Sequence, residues 1–146
     1  MLTLSIIVAG ALVWISAVGQ HIGNLTSHGA KWVMSDRSHP VSDDGFAGRS
    51  ARTLRNNVES CAMYVPVAFL SLVLLQSSWA TGVTAGVYAA IHTIFTLCYW
   101  LKFNSLRSLS WLVGMICNAV MAALALQGAA FPQPKQQRRS VSHAPI

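Results

Sequence analysis

The residues best equipped for chemistry stand in two groups. Arg49, Arg52, Arg55, Asn56 and Glu59 lie within GRSARTLRNNVES, residues 48–60, and Arg107 and Ser108 lie within KFNSLRSLSW, residues 102–111. A helix turns by about 100° per residue, so Arg49, Arg52, Asn56 and Glu59 share one face. Arg55 falls beside that stripe and Asn57 points away from it. A carboxylate, a guanidinium and an amide on one face suit a zwitterion: the first takes an ammonium, the second a carboxylate, the third either. Arg55 alone reads equally well as an anchor that reaches for lipid headgroups.

The elements that must carry these residues are written in the charge pattern. The chain has 146 residues, of which 53% are hydrophobic and 10% charged. Soluble domains carry roughly 25% charged residues. Residues 1–30, 60–101 and 108–134 contain no Asp, Glu, Lys or Arg, and about 20 apolar residues suffice to cross a bilayer. The reading is an all-α integral membrane protein, a bundle of four transmembrane helices with spans near 2–22, 54–76, 83–101 and 106–126. The second helix is expected to start near Gly48 and end near Gln76, with Pro66 as a candidate kink. Residues 24–47, with Pro40, Gly45 and Gly48, read as a polar loop, and QSSWATG (76–82) as a tight turn. A membrane domain over 1–127 is followed by a basic, proline- and glutamine-rich tail over 128–146, expected to be disordered.

The formal charge of +6 does not point to nucleic acid, because the basic residues sit at the edges of apolar runs. Lys31, Arg37, Arg49, Arg52, Arg55, Lys102 and Arg107 follow spans one and three, and the turn after span two is uncharged. The positive-inside rule then makes loops 23–53 and 102–106 cytoplasmic and leaves both termini outside. Cys61, Cys98 and Cys117 form no CxxC and read as packing residues. His21, His28, His39 and His92 are scattered, so no metal site is expected.

Glu59 resists a purely structural account. It stands where hydrocarbon begins, and a charge near mid-membrane costs about 2.5–3.5 kcal/mol on insertion scales. Such a residue faces a bundle interior and has a partner, for which Arg52 or Arg55, one turn earlier, is placed. Tyr99 and His92 lie two turns apart on one face of the third span.

These motifs resemble the family of membrane-associated proteins in eicosanoid and glutathione metabolism (MAPEG). Its pattern of Arg-x-x-Arg, then Asn, then Glu three residues on is matched by Arg49, Arg52, Asn56 and Glu59, and SLRSLSWLVG is its second hallmark. AKWVMSDRSHPVSDDGFAGR, residues 30–49, looks like the bacterial branch, which suggests a bacterial inner membrane. The resemblance implies a homotrimer that binds glutathione between subunits near the cytoplasmic face. Arg49, Arg52, Asn56 and Glu59 would form the cradle with Arg55 beside it, joined by His92 and Tyr99 of the third helix. Arg107 would hold the thiolate and Ser108 would stand next to it. A thiol of pKa about 8.5 is mostly protonated at neutral pH, and an adjacent guanidinium favours its nucleophilic form. A lipophilic substrate would arrive through the bilayer.

His92 stands where several members have arginine, Phe95 where eicosanoid enzymes have His or Tyr, and Trp111 where some have tyrosine. These departures argue against eicosanoid chemistry. The expected function is a membrane-bound glutathione-dependent transferase or peroxidase acting on lipophilic electrophiles or lipid hydroperoxides. The alternative is a non-catalytic protein of the same fold that binds lipid or another small thiol. A small four-span exporter fits less well, because such exporters tend to carry their lone glutamate in the first span.

Overall fold

The computed structural model describes residues 1–36, 44–75 and 78–130. They form four helices, α1 (Leu2–Val33), α2 (Gly45–Leu75), α3 (Trp79–Trp100) and α4 (Asn104–Ala130), with no strand among the described residues. At 1.5 Å per residue their lengths run from ~33 Å for α3 to ~48 Å for α1, against a hydrocarbon core of ~30 Å. All four are apolar enough to cross a membrane.

The helices outrun the spans read from hydropathy. Residues 24–33, expected in a loop, continue α1, whose backbone departs from helical angles only at Gly29 (φ 77°, ψ 165°). A glycine takes that conformation without a Cβ penalty, so α1 changes direction there. α2 starts at Gly45 and continues past Pro66 to Leu75, so much of the expected 23–53 loop is helical. Trp79–Gly82 belong to α3 rather than to a turn. Ser78 caps that helix, its hydroxyl accepting from the Thr81 N–H at 3.2 Å. α4 extends through Ala130; the rest of the expected tail, 131–146, and Arg37 and His39 lie outside the described residues.

α2 and α3 form the middle of the bundle, each touching three other helices, while α1 and α4 do not meet. The buried stripe of α1 is Leu2, Ser5, Ala9, Leu12, Ser16, Gly19 and Gly23, and that of α4 is Ser110, Gly114, Cys117, Asn118, Met121, Ala125 and Gly128. These steps of three and four make a coiled-coil-like seam of small residues, the usual way for membrane helices to approach closely. Large apolar side chains such as Trp14, Phe69 and Leu126 face outward instead. The surrounding lipid is as apolar as they are, so their exposure costs nothing there.

Polar side chains tie the interior together. Asn57 of α2 donates from Nδ2 to Ser16 Oγ of α1 (2.8 Å) and Thr96 Oγ1 of α3 (3.0 Å). Tyr64 and Ser5 share a hydrogen bond of 2.7 Å, and the Tyr64 ring stacks on Tyr88 with centroids 3.5 Å apart.

Candidate functional site

The site assembles at the end of the bundle where α2 begins, α3 ends and α4 begins. α3 stops at Trp100, and Lys102 takes a left-handed φ of 66°. The Phe103 N–H then reaches back to Cys98 O at 2.9 Å, the bond of a Schellman stop. This tight reversal starts α4 at Asn104 and returns Arg107 alongside the last turn of α3. Its guanidinium lies 4.9 Å from the centroid of the Tyr99 ring, a cation–π distance. Phe95 meets Tyr99 edge-on at 5.5 Å and His92 at 5.9 Å. A line of rings thus leads from the Arg107 cation into the membrane depth of the bundle.

Two cavities lie along this line. The outer, of about 240 Å³, is lined by Asn56, Phe95, Tyr99, Arg107, Ser108 and Trp111. The inner, of about 260 Å³, is lined by Glu59, Ser60 and His92 with the methionines Met63 and Met115. Asn56 and Trp111 border both. Each alone falls short of the roughly 300 Å³ at which ligand pockets begin, and joined they enter that range.

Six of the residues expected from sequence meet here: Asn56 and Glu59 from α2, His92 and Tyr99 from α3, and Arg107 and Ser108 from α4. The Asn56 Nδ2 donates to Arg52 O at 2.7 Å, which holds the amide against its own helix and leaves Oδ1 for a ligand. His92 is buried, with Nε2 2.9 Å from Ser60 Oγ. Ser108 is exposed and Arg107 half-buried, so the thiolate-binding pair named from sequence faces the open side of the outer cavity.

The three arginines of α2 take other places within the chain. Arg49 donates from Nε to Trp100 O at 3.3 Å, and its guanidinium lies 5.9 Å from the Phe46 ring. It caps the free carbonyls at the end of α3, where a cation also opposes the negative end of the helix dipole. Arg52 is half-buried and Arg55 exposed, and neither lines either of these two cavities. The intrahelical ion pair expected for Glu59 is not formed: this carboxylate is exposed and, among the described residues, has no partner. On a straight helix the three- and four-residue steps bring Arg52 and Glu59 near one another, but a gap of seven is two turns, ~10 Å along the axis. Arg55, at four, points to the flank.

Ser60, Gly114 and the wall residues Phe95 and Trp111 escaped the motif reading as contributors. Ser60 is adjacent to Glu59 and was hidden by being a common residue. Among the described residues no group of three His, Cys, Asp or Glu side chains gathers as a metal site would.

A family model described as the MAPEG family matches residues 1–127. This chain belongs to the MAPEG family. The matched region takes in the whole site and all but the last residues of α4. Comparison with curated proteins and with solved structures returned no match. Membership of MAPEG, with four membrane-capable helices, makes the chain an integral multi-pass membrane protein. It also supports glutathione-related transferase or peroxidase chemistry in general terms.

Proposed function

We propose that this MAPEG protein is a membrane-bound glutathione-dependent transferase or peroxidase for lipophilic electrophiles or lipid hydroperoxides. The observation that carries the reading is the placement of Arg107, poised over Tyr99 at the mouth of a cavity that Asn56 and Ser108 also line. A guanidinium there would stabilise the glutathione thiolate, and Ser108 would offer a hydroxyl donor beside it. Asn56 Oδ1 and the Glu59 carboxylate would accept from the ammonium or amide groups of the peptide. The proton lost by the thiol leaves to solvent on the open side, where Ser108 is exposed.

A homotrimer belongs to the same reading. Glu59 is exposed and without a partner among the described residues, and it borders the same cavity as His92, whose hydrogen-bond partner Ser60 comes next in the chain. His92 lies eight residues before the end of α3, ~12 Å along that helix. A bare carboxylate at that depth calls for a ligand or a second copy of the chain to cover it. Arg52 and Arg55, which line neither cavity in one chain, would then reach glutathione across the subunit boundary. The orientation proposed from the basic residues puts this end of the bundle, with Lys31, Arg49, Arg52, Arg55, Lys102 and Arg107, in the cytoplasm.

The test is titration calorimetry of the detergent-solubilised oligomer with glutathione, followed by conjugation of a generic aryl halide. Binding at millimolar glutathione or tighter, with conjugation, is expected. No heat at that concentration would sink the reading; binding without conjugation would favour the non-catalytic alternative.

A further inference from the structure

Ser60 Oγ lies 2.9 Å from both Tyr88 Oη and His92 Nε2, and all three residues are buried. Each order of protons along this string leaves one donor over, and the orders differ in where that donor stands. A serine hydroxyl has a single proton to give. If Nε2 carried the imidazole proton and donated to Ser60, Ser60 would turn its own proton to Tyr88. The Tyr88 O–H would then have no acceptor among the described residues, which costs about 1–3 kcal/mol for a buried donor. In the reverse order Tyr88 donates to Ser60, Ser60 donates to a bare Nε2, and the donor left over is the ring's own Nδ1–H, an atom that is not fully enclosed, on a residue that borders the inner cavity. The ring proton of His92 is thereby sent to Nδ1, the nitrogen that has no partner among the described residues.

Packing fixes the ring as firmly as the hydrogen bonds fix its tautomer. The imidazole lies against Tyr88 with centroids 4.4 Å apart. On the α4 side it fills the space over Gly114, where an added Cβ would stand 2.5 Å from Nε2. His92 borders the inner cavity together with Asn56 and Glu59, both rich in acceptor oxygens. An Nδ1–H would add a donor beside those oxygens, next to the indole of Trp111 that borders the same cavity.

We propose that Tyr88, Ser60 and Gly114 are positioning residues that set His92 as an Nδ1–H donor to a carbonyl or carboxylate oxygen of the peptide bound in the inner cavity. The ligand half of this proposal rests on the glutathione reading; the tautomer half does not.

Histidine-15N-labelled protein in detergent separates the two. Ring nitrogen shifts of His92, assigned by their disappearance in His92→Gln, are expected to show a protonated Nδ1 and a bare Nε2 without any ligand. A protonated Nε2 in the unmodified protein would overturn the proposal outright, and that measurement needs no variant of the network to fold. Ser60→Ala and Tyr88→Phe are expected to shift the ring toward a mixture of tautomers; unchanged shifts would show that the string does not set the proton. For the ligand half, an Asn amide nitrogen can occupy the Nδ1 position and a Gln amide nitrogen the Nε2 position. His92→Gln is expected to weaken glutathione binding about tenfold, one ordinary hydrogen bond, with His92→Asn keeping most of it. A purely structural His92 gives the opposite order, since Gln alone would keep the contact to Ser60. A protein that shows the Nδ1 tautomer but binds no glutathione refutes the proposed function and the ligand half together, and leaves the positioning string standing.

Discussion

Gly114 and His92 are in such close apposition that a Cβ on the glycine would stand 2.5 Å from the imidazole Nε2 and 3.1 Å from Cδ2. The ring cannot retreat without leaving its hydrogen bond to Ser60. Gly114→Ala is therefore expected to destabilise the bundle by about 1–3 kcal/mol, the usual cost of overfilling a packed interior. Thermal unfolding in detergent measures it. A variant as stable as the parent would mean that α4 moves away freely, and that the ring is not held.

Arg49 is expected to behave as an anchor. Its bond to Trp100 O and its stack on Phe46 belong to the end of α3, not to a cavity wall. The Trp100 ring in turn sits in a notch at Gly19, where an added Cβ would be 2.8 Å from the indole. Arg49→Ala should lower stability by about 1 kcal/mol and leave glutathione affinity, per folded protein, within about twofold. Calorimetry and unfolding on the same sample decide. A large affinity loss with unchanged stability would return Arg49 to the ligand.

Asn57 joins three helices through Ser16 and Thr96. Removing it takes the hydrogen-bond partner from the buried Ser16 hydroxyl, while Thr96 keeps its bond to His92 O at 3.0 Å, and a hydrogen bond between membrane helices averages roughly 0.6 kcal/mol with a ceiling near 1.7. Asn57→Ala is expected to cost about 1–3 kcal/mol, counting the stranded Ser16 hydroxyl. Pairing it with Ser16→Ala in a double-mutant cycle should show coupling. Additive losses would mean the bond contributes nothing.

What was legible before the fold was known follows from contrast. Asn56, Glu59, His92, Tyr99, Arg107 and Ser108 are polar or aromatic residues in or beside apolar helices, so they announce themselves, and all six line the cavities. The four-helix plan was legible for the same reason. Arg49 stands apart from those six because its hydrogen bond goes to where α3 ends, 51 positions along the chain. Periodicity within α2 carries no information about that. Asn57 was read as pointing away from the stripe of Arg49, Arg52, Asn56 and Glu59, and its partners on α1 and α3 exist only in the fold. Residues 24–33 looked like a loop because a helix that has left the hydrocarbon loses its apolar signature. Gly114 was invisible, since glycine is common in membrane helices and only the facing ring gives it meaning.

Glu59 and Arg107 are expected to separate under mutation. Glu59 borders the inner cavity and Arg107 the outer, so under the proposed function one would hold peptide and the other the sulfur. Glu59→Gln should weaken glutathione binding about tenfold, as loss of one charged hydrogen bond does, with the pH dependence of conjugation unchanged. A shifted profile with intact affinity would reverse the two roles.

Arg107→Ala should do what Glu59→Gln does not. A cation beside the sulfur stabilises the thiolate, so its removal raises the apparent pKa of bound glutathione toward the free-thiol value of about 8.5 or above. Below that pKa the thiolate fraction falls tenfold per unit of pH deficit, so each unit of upward shift lowers the rate at neutral pH about tenfold. The loss should shrink as pH rises through the new pKa, where both proteins are fully ionised. Arg107→Lys keeps the charge but gives up the planar stack on Tyr99, and should fall between the two. The pH–rate profile for aryl halide conjugation, read beside the ultraviolet absorbance of the thiolate, measures both. A profile that drops in height without moving along the pH axis would leave Arg107 an orienting residue, with the thiol ionised by something else.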